Sequence, residues 1–413
     1  MYLAPTNTGE ASKSSDAPVS PRTQETLDLY KKYVIGNYTR LPRVAVRGQG
    51  SYFWDADGKK YLDFFSGWAV TGLGHCHPRL VKAIQEQAAK LIYMPNNWHT
   101  EPQARLAEHV ATTGFGGKCF FCNSGAEANE AAIKLARIHT PKGKYKIITF
   151  ENSFHGRTFA AITATAQPKY QQGFQPLVPG FMYAPLNDLG AVDKLVDEET
   201  CAILVEPIQG EGGVNVCTTE FLQGLREMCT QRGMVLMFDE VQTGVGRCGT
   251  WWGWQQSGVQ PDIMTMAKQL GGGTAIGGMC ARDEVAASLV PGTHASTFGG
   301  NPLAAAAGCA VFETIRDENI LENVNQQGAY LRQRFLELKQ DLPIITEVRG
   351  AGLMIGVELA EAGGDIVAKA MDRGLYVNCT HGTVLRVMPA MNVTKAEIDE
   401  GLAILSDLLR GHR

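Results

Sequence analysis

Residues 234–268 read MVLMFDEVQTGVGRCGTWWGWQQSGVQPDIMTMAK. Two short apolar runs, Met234–Phe238 and Ile263–Ala267, each stop at charge: Asp239-Glu240 after the first, Lys268 after the second. Runs this short and this continuously apolar fit strands of a parallel sheet covered on both faces. Three more runs upstream repeat the pattern. Cys119–Asn123 leads into Ser124-Gly-Ala-Glu127, Lys146–Phe150 into Glu151-Asn-Ser-Phe-His155-Gly-Arg157, and Cys201–Val205 into Glu206-Pro-Ile-Gln-Gly-Glu211. Helical stretches separate the runs, so the spacing predicts an α/β fold. Open parallel sheets bind ligands beyond the carboxyl ends of their strands, and all these segments are therefore expected to converge on one crevice. Polarity resumes at any strand end, so placement alone decides little; the residue types decide more.

Working outward, residues 1–24 read as a flexible leader, polar and punctuated by proline. Residues 25–75 hold an early helix and a hairpin, Ser51–Phe64, turning at Asp57-Gly58. Residues 76–302 form the large domain, opening with a helix at Pro78 and a second near Thr100. From 303 the composition shifts: a long Ala-rich helix after Pro302, a further helix, strands near 345–348, 353–358 and 384–388, and a last helix from Thr394. Residues 303–413 are expected to form a smaller α+β domain that the N-terminal segment joins.

The chain has 413 residues, with 38 Lys plus Arg against 42 Asp plus Glu, a net charge of −4. That balance supplies no basic field for nucleic acid. No apolar run approaches the roughly 18 residues that span a bilayer, so no membrane role is expected. Met1 to Ser20 lacks the apolar core of a secretory signal, and Glu10 and Asp16 with no Arg before Arg22 argue against a mitochondrial transit peptide. The ten cysteines are expected to be reduced thiols of a cytoplasmic protein.

Ser124-Gly-Ala-Glu127 is a capping box before an Ala-rich helix. Its small residues leave first-turn N–H groups open to an anion, and a phosphate fits there through the helix dipole. Many helices begin this way and bind nothing, so the motif needs company. Asp239 and Lys268 provide it. A carboxylate at the floor of the crevice can hold the protonated nitrogen of a pyridine ring, and a lysine can form a Schiff base with an aldehyde. Phosphate anchor, pyridinium partner and lysine together describe a site for pyridoxal 5′-phosphate.

At this point a resemblance becomes specific. The stretches Gly67-Trp-Ala-Val-Thr-Gly-Leu-Gly-His75-Cys-His-Pro, Asn123 to Arg137, Phe154-His-Gly-Arg157, Glu206-Pro-Ile-Gln-Gly-Glu211, Phe238-Asp-Glu-Val-Gln242-Thr-Gly-Val-Gly-Arg247, Ala267-Lys268, Thr297-Phe-Gly-Gly-Asn-Pro302 and Leu385-Arg386 occur in order. Together they resemble the class III pyridoxal-phosphate aminotransferases of fold type I, and most closely the acetylornithine and ornithine branch, from about Asn37 to the C-terminus. The resemblance implies a large domain with a mostly parallel, seven-stranded-type sheet and a small α+β domain.

It also implies roles. Lys268 bonds the cofactor and shuttles the proton, Asp239 holds the pyridine nitrogen, and Gln242 reaches the phenolic oxygen. Phe154 and Val241 cover the two ring faces, and Ser124, Gly125 and Ala126 hold the phosphate. Thr297 reaches the phosphate of a partner subunit, which implies a homodimer. Arg386 takes the α-carboxylate of glutamate and 2-oxoglutarate, and Arg157 the other carboxylate. Glu211 is the gate that pairs with Arg386 while an ω-amine reacts. Trp68 stands at the substrate-selecting position, where ornithine enzymes tend to carry Tyr and acetylornithine enzymes a smaller aliphatic residue; Trp fits neither. The implied reaction moves the terminal amino group of N-acetylornithine to 2-oxoglutarate, giving N-acetylglutamate 5-semialdehyde and glutamate. Ornithine, succinylornithine, 4-aminobutyrate, N-succinyldiaminopimelate and carrier-bound lysine intermediates stay open as donors.

Other readings fit less well. Gly244-Val-Gly-Arg-Cys-Gly249 matches G-x-G-x-x-G, but the residues after it make a poor helix, so the dinucleotide fingerprint lacks its context. His75-Cys-His77 and Cys119-Phe-Phe-Cys122 invite zinc, yet their side chains alternate along extended chain and no second C-x-x-C exists, so no metal is expected. A scaffold or regulator on the same fold expects a broken site, and here both Lys268 and Asp239 are present.

Overall fold

The structure, a computed structural model, describes residues 19–411. Its centre is a seven-stranded sheet in the order Lys118–Cys122, Gly277–Ala281, Ile263–Met266, Val235–Asp239, Thr200–Val205, Lys146–Phe150, Phe181–Ala184. The five apolar runs read from the sequence all lie in it. Two strands were not legible. Phe181–Ala184 closes one edge in parallel with Lys146–Phe150. Gly277–Ala281 inserts antiparallel between Lys118–Cys122 and Ile263–Met266. Its Gly-Gly start has little strand propensity. The packing explains it: a Cβ on Gly277 would meet the Ser124 carbonyl oxygen at 2.4 Å.

Alternation along the strands shows why the runs are continuously apolar. Ile147, Leu204 and Met237 pack with Ala131, Leu135 and Ala136 of the helix Gly125–His139. Their neighbours Ile148, Val205 and Phe238 face the other way, against Phe221 and Leu225 of the helix Thr219–Arg232. Side chains of successive residues point to opposite faces, and here both faces are covered.

Two smaller sheets flank this layer. Ala45–Gln49, Tyr52–Asp55 and Lys60–Asp63 form a meander whose hairpin turns at Asp57-Gly58, with Gly58 at φ +86°. Leu375–Tyr376 joins it in parallel, Leu375 opposite Leu62, so strands from the two ends of the chain share one sheet. The other sheet runs Ile345–Ala351, Met354–Leu359, Val384–Val387, Asn378–Thr380. The helix Pro302–Asp317 packs on Pro78–Ala88 and Glu101–Thr113.

Residues 1–18 of the expected leader lie outside the described residues. Residues 21–24 are not a flexible leader: the helix Pro21–Tyr33 begins there. Ser20 caps it by accepting from the Thr23 N–H, Pro21 sits at its first position, and the buried Thr23 hydroxyl donates to Asp57 at 2.9 Å. Among the described residues no helix is long and apolar enough to cross a membrane.

Candidate active site

The strand ends converge as the topology requires. Loops after five of the parallel strands line one cavity of about 450 Å3. Val235–Asp239 ends in Asp239, which is 3% exposed. Its Oδ1 accepts the Val241 N–H at 3.0 Å; its Oδ2 accepts from Asn129 and lies 2.8 Å from His155 Nδ1. Burial pushes the Asp239 carboxyl up, but the His155 hydrogen bond and charge outweigh it and hold the group below its ordinary value.

Lys268 comes one residue past the strand Ile263–Met266 and takes a left-handed backbone, φ +51°. Strain of this kind in a residue other than glycine gathers at functional sites. Burial holds its amine below the ordinary lysine range, against the pull of the Glu211 carboxylate. Among the described residues the amine makes no hydrogen bond or ion pair, so its nitrogen is free to meet a ligand.

The helix Gly125–His139 opens on the same cavity. Ser124 caps it, accepting the Glu127 N–H at 3.2 Å. Glu127 returns a bond to the Asn123 N–H at 2.7 Å, one residue earlier than the usual capping box. A Cβ on Gly125 would meet Val241 Cγ1 at 2.8 Å, so the cradle exists only because that residue is glycine. Ser124, Gly125 and Ala126 line the cavity, as do Phe154, Val241 and Gln242.

Glu211 and Arg157 reach the cavity from the loops after Thr200–Val205 and Lys146–Phe150. Arg386, fully buried on the strand Val384–Val387, stands behind them. Its Nη1 meets Glu211 Oε1 at 2.5 Å and Gln242 Oε1 at 3.3 Å, while Nη2 donates to Asn378 at 2.9 Å. Burial raises the Glu211 carboxyl, but Arg386 and Lys268 bring it below its usual value.

Besides Arg386, two expected residues lie outside this cavity. Ser66, Gly67, Trp68 and Ala69 all have positive φ, a left-handed turn that carries the indole away from the cavity. Trp68 is 47% exposed and packs edge-on against Phe65 at 4.9 Å. Phe65 in turn lies under the Arg386 guanidinium, so it stands between the two. Trp68 lines a separate cleft with Tyr30 and Tyr38. Thr297 is exposed beside Phe298, itself 60% exposed, and does not reach the cavity of its own chain.

Sequence reasoning gave no role to three residues that the structure brings in. Asn129 donates to both Asp239 and the His155 carbonyl and accepts from Thr265. Its signal was an amide among alanines on the sheet-facing side of its helix. Glu206 is buried, accepting the Phe154 N–H at 2.9 Å and the Gly210 N–H at 3.1 Å. His155, in the loop after Lys146–Phe150, is 2% exposed, with Nδ1 on Asp239 and Nε2 unpartnered among the described residues. The Gly244–Gly249 run forms turns, and the first helical element after it is the single 3-10 turn Gly253–Gln256.

A buried ionised carboxylate, an unpaired amine and a glycine-walled helix start surround one cavity of cofactor size. These residues fit pyridoxal 5′-phosphate: charge for the ring nitrogen, an amine for the aldehyde, free N–H groups for the phosphate. Comparison with known proteins agrees. The aminotransferase class-III family matches residues 33–409. The chain is 50% identical to the acetylornithine aminotransferase of Caldanaerobacter subterraneus subsp. tengcongensis, over 92% of this chain and 98% of that one. It is 47% identical to the acetylornithine aminotransferase of Aquifex aeolicus, over 91% and 100%. The crystal structure of the ornithine aminotransferase from Toxoplasma gondii ME49 superposes with a TM-score of 0.90 at 32% identity, covering 94% of this chain and 95% of that one. The chain belongs to the class III aminotransferases. It is a transferase that depends on pyridoxal phosphate.

Proposed function

We propose that the enzyme moves the terminal amino group of N-acetylornithine to 2-oxoglutarate, in the cytoplasm, as a homodimer. One observation carries the reaction type: the Glu211–Arg386 pair closes the wall of the cavity that holds Lys268 and Asp239. A two-acid transamination needs an arginine for the α-carboxylate of glutamate and a way to neutralise it while a longer amine reacts at its far end. The identity to acetylornithine aminotransferases, 50% and 47%, favours the acylated donor over free ornithine.

Bound pyridoxal phosphate supplies an aldehyde for the amine and a ring that withdraws electrons from the reacting carbon. The chain supplies the rest. Asp239 keeps the ring nitrogen protonated, and His155 and Asn129 keep Asp239 ionised. Lys268 Nζ would bond the aldehyde at rest and, once released, would serve as the base that moves the proton. Ser124, Gly125 and Ala126 would hold the phosphate, Phe154 and Val241 the ring, and Gln242 its phenolic oxygen. Arg157 takes the distal carboxylate of glutamate. Thr297 completes the partner's phosphate site, and the exposed Phe298 beside it suits a surface covered by that partner. We read residues 76–302 as the cofactor domain, and 25–75 with 303–413 as the smaller one.

The visible spectrum of the purified protein tests this. Addition of N-acetylornithine should collapse the yellow absorption of the bound cofactor, with ornithine and 4-aminobutyrate responding less. The structural likeness to an ornithine aminotransferase favours ornithine as the second reading, and a stronger response to ornithine would establish it in place of the first.

A further inference from the structure

Arg157 stands at the cavity mouth with nothing polar to hold it. Among the described residues its guanidinium makes no ion pair and donates no hydrogen bond. What holds it is aromatic. Its central carbon sits 4.0 Å from the centroid of Tyr170 and 5.5 Å from that of Phe154. The two rings meet edge to face, 5.8 Å apart at 87°. Tyr170 lies on the short helix Pro168–Gln171, which is well anchored. Gln167 donates to the Asn152 and Ser153 carbonyls, and Gln171 donates to the Thr165 carbonyl at 2.9 Å. Among the described residues the Tyr170 hydroxyl has no partner, so the ring face is what this residue offers.

A guanidinium stacked on a ring uses its π face, while its five N–H donors lie in its own plane and stay free. A bidentate carboxylate needs that plane held in one orientation. We propose that Tyr170 is a positioning residue, whose ring holds Arg157 across the mouth for the distal carboxylate of glutamate and 2-oxoglutarate. This rests on the proposed role of Arg157 in binding that carboxylate. The Lys169 amine, 4.8 Å from the same ring, adds a second positive charge on the path of an incoming dicarboxylate.

The test is steady-state kinetics of Tyr170→Leu, Tyr170→Phe and Arg157→Ala in the holoenzyme. Loss of a cation–π contact at a partly exposed site should raise KM for 2-oxoglutarate roughly 3- to 10-fold in Tyr170→Leu. kcat and the KM of the amine donor should stay within about twofold, since only uniform binding of one substrate is lost. Tyr170→Phe should behave as wild type. If Leu destabilises the chain, Tyr170→Met fills the volume without a ring face and repeats the measurement. An unchanged KM in Tyr170→Leu beside a raised KM in Arg157→Ala overturns the proposal alone. An unchanged KM in Arg157→Ala overturns the role of Arg157 beneath it. Equal losses for both substrates, or failure of Phe to restore, would mean a structural role and also overturn it.

Discussion

Asp239 Oδ2 lies 2.8 Å from His155 Nδ1, in a pair whose side chains are 3% and 0% exposed. An ionised Asp239 accepts the proton that Nδ1 carries, and the buried Nε2 has no partner among the described residues. His155→Phe removes the strongest influence that keeps Asp239 ionised against burial. The single-turnover rate with amine donor should fall about tenfold, equivalent to about 1.4 kcal/mol of lost transition-state stabilisation. The melting curve should show a loss of roughly 1–3 kcal/mol for the unpaired carboxylate. An unchanged rate would mean that Asn129 and the Val241 N–H suffice.

Glu211→Ala leaves Arg386 fully buried with no acid partner. Breaking a buried pair by removing one member costs about 3–5 kcal/mol, and the open side of the cavity should soften that here. The kinetic effect is the sharper one. With the gate gone, Arg386 is open to any α-carboxylate from the start. The half-reaction with glutamate should quicken, and ornithine should begin to react through its α-amine. Unaltered half-reactions with both would remove Glu211 from the gating role.

Glu206 makes stability depend on pH. Burial, with the Asp239 charge adding to it, raises its carboxyl to about 7 from 4.5, against the opposing pull of His155. A folded value above the unfolded one contributes stability that is complete below the unfolded value and is lost as pH rises through the folded one. The wild-type melting temperature should therefore fall between about pH 5 and pH 8 relative to Glu206→Gln, by an amount equivalent to roughly 1–3 kcal/mol. Parallel pH profiles of the two proteins would show that Glu206 stays ionised throughout.

The legibility of each strand in the sequence depends on what packs against it. Thr200–Val205 and Val235–Asp239 are buried on both faces, so their apolar character is continuous and visible. Gly277–Ala281 is glycine-led because the Ser124 carbonyl crowds it, and that constraint exists only once the chain is folded. The same holds in the site. Asp239 and Lys268 announce themselves as charges after strands. Asn129 is one amide in an alanine-rich helix, and only the sheet passing beneath it gives it Asp239 to hold. The neighbours of Trp68 in sequence place it at the substrate, but four successive positive-φ residues turn it into a different cleft, and only Gly67 among Ser66-Gly-Trp-Ala69 is a residue type that favours such a turn.

Lys268→Ala should abolish turnover and leave the fold intact. The amine sits buried with no hydrogen bond among the described residues, and burial already disfavours its charge. Its folded value lies below the unfolded one, so at neutral pH the ammonium is a net cost to the folded state. The truncated side chain borders an open cavity, so water rather than a void replaces it. The apo-protein melting temperature at pH 7 should therefore equal or exceed that of wild-type apo-protein. Retained turnover would remove Lys268 from the chemistry. A melting temperature several degrees lower, with turnover lost, would show instead that the attraction between Lys268 and Glu211 supports the fold, and would assign the lysine a structural share beside its catalytic one.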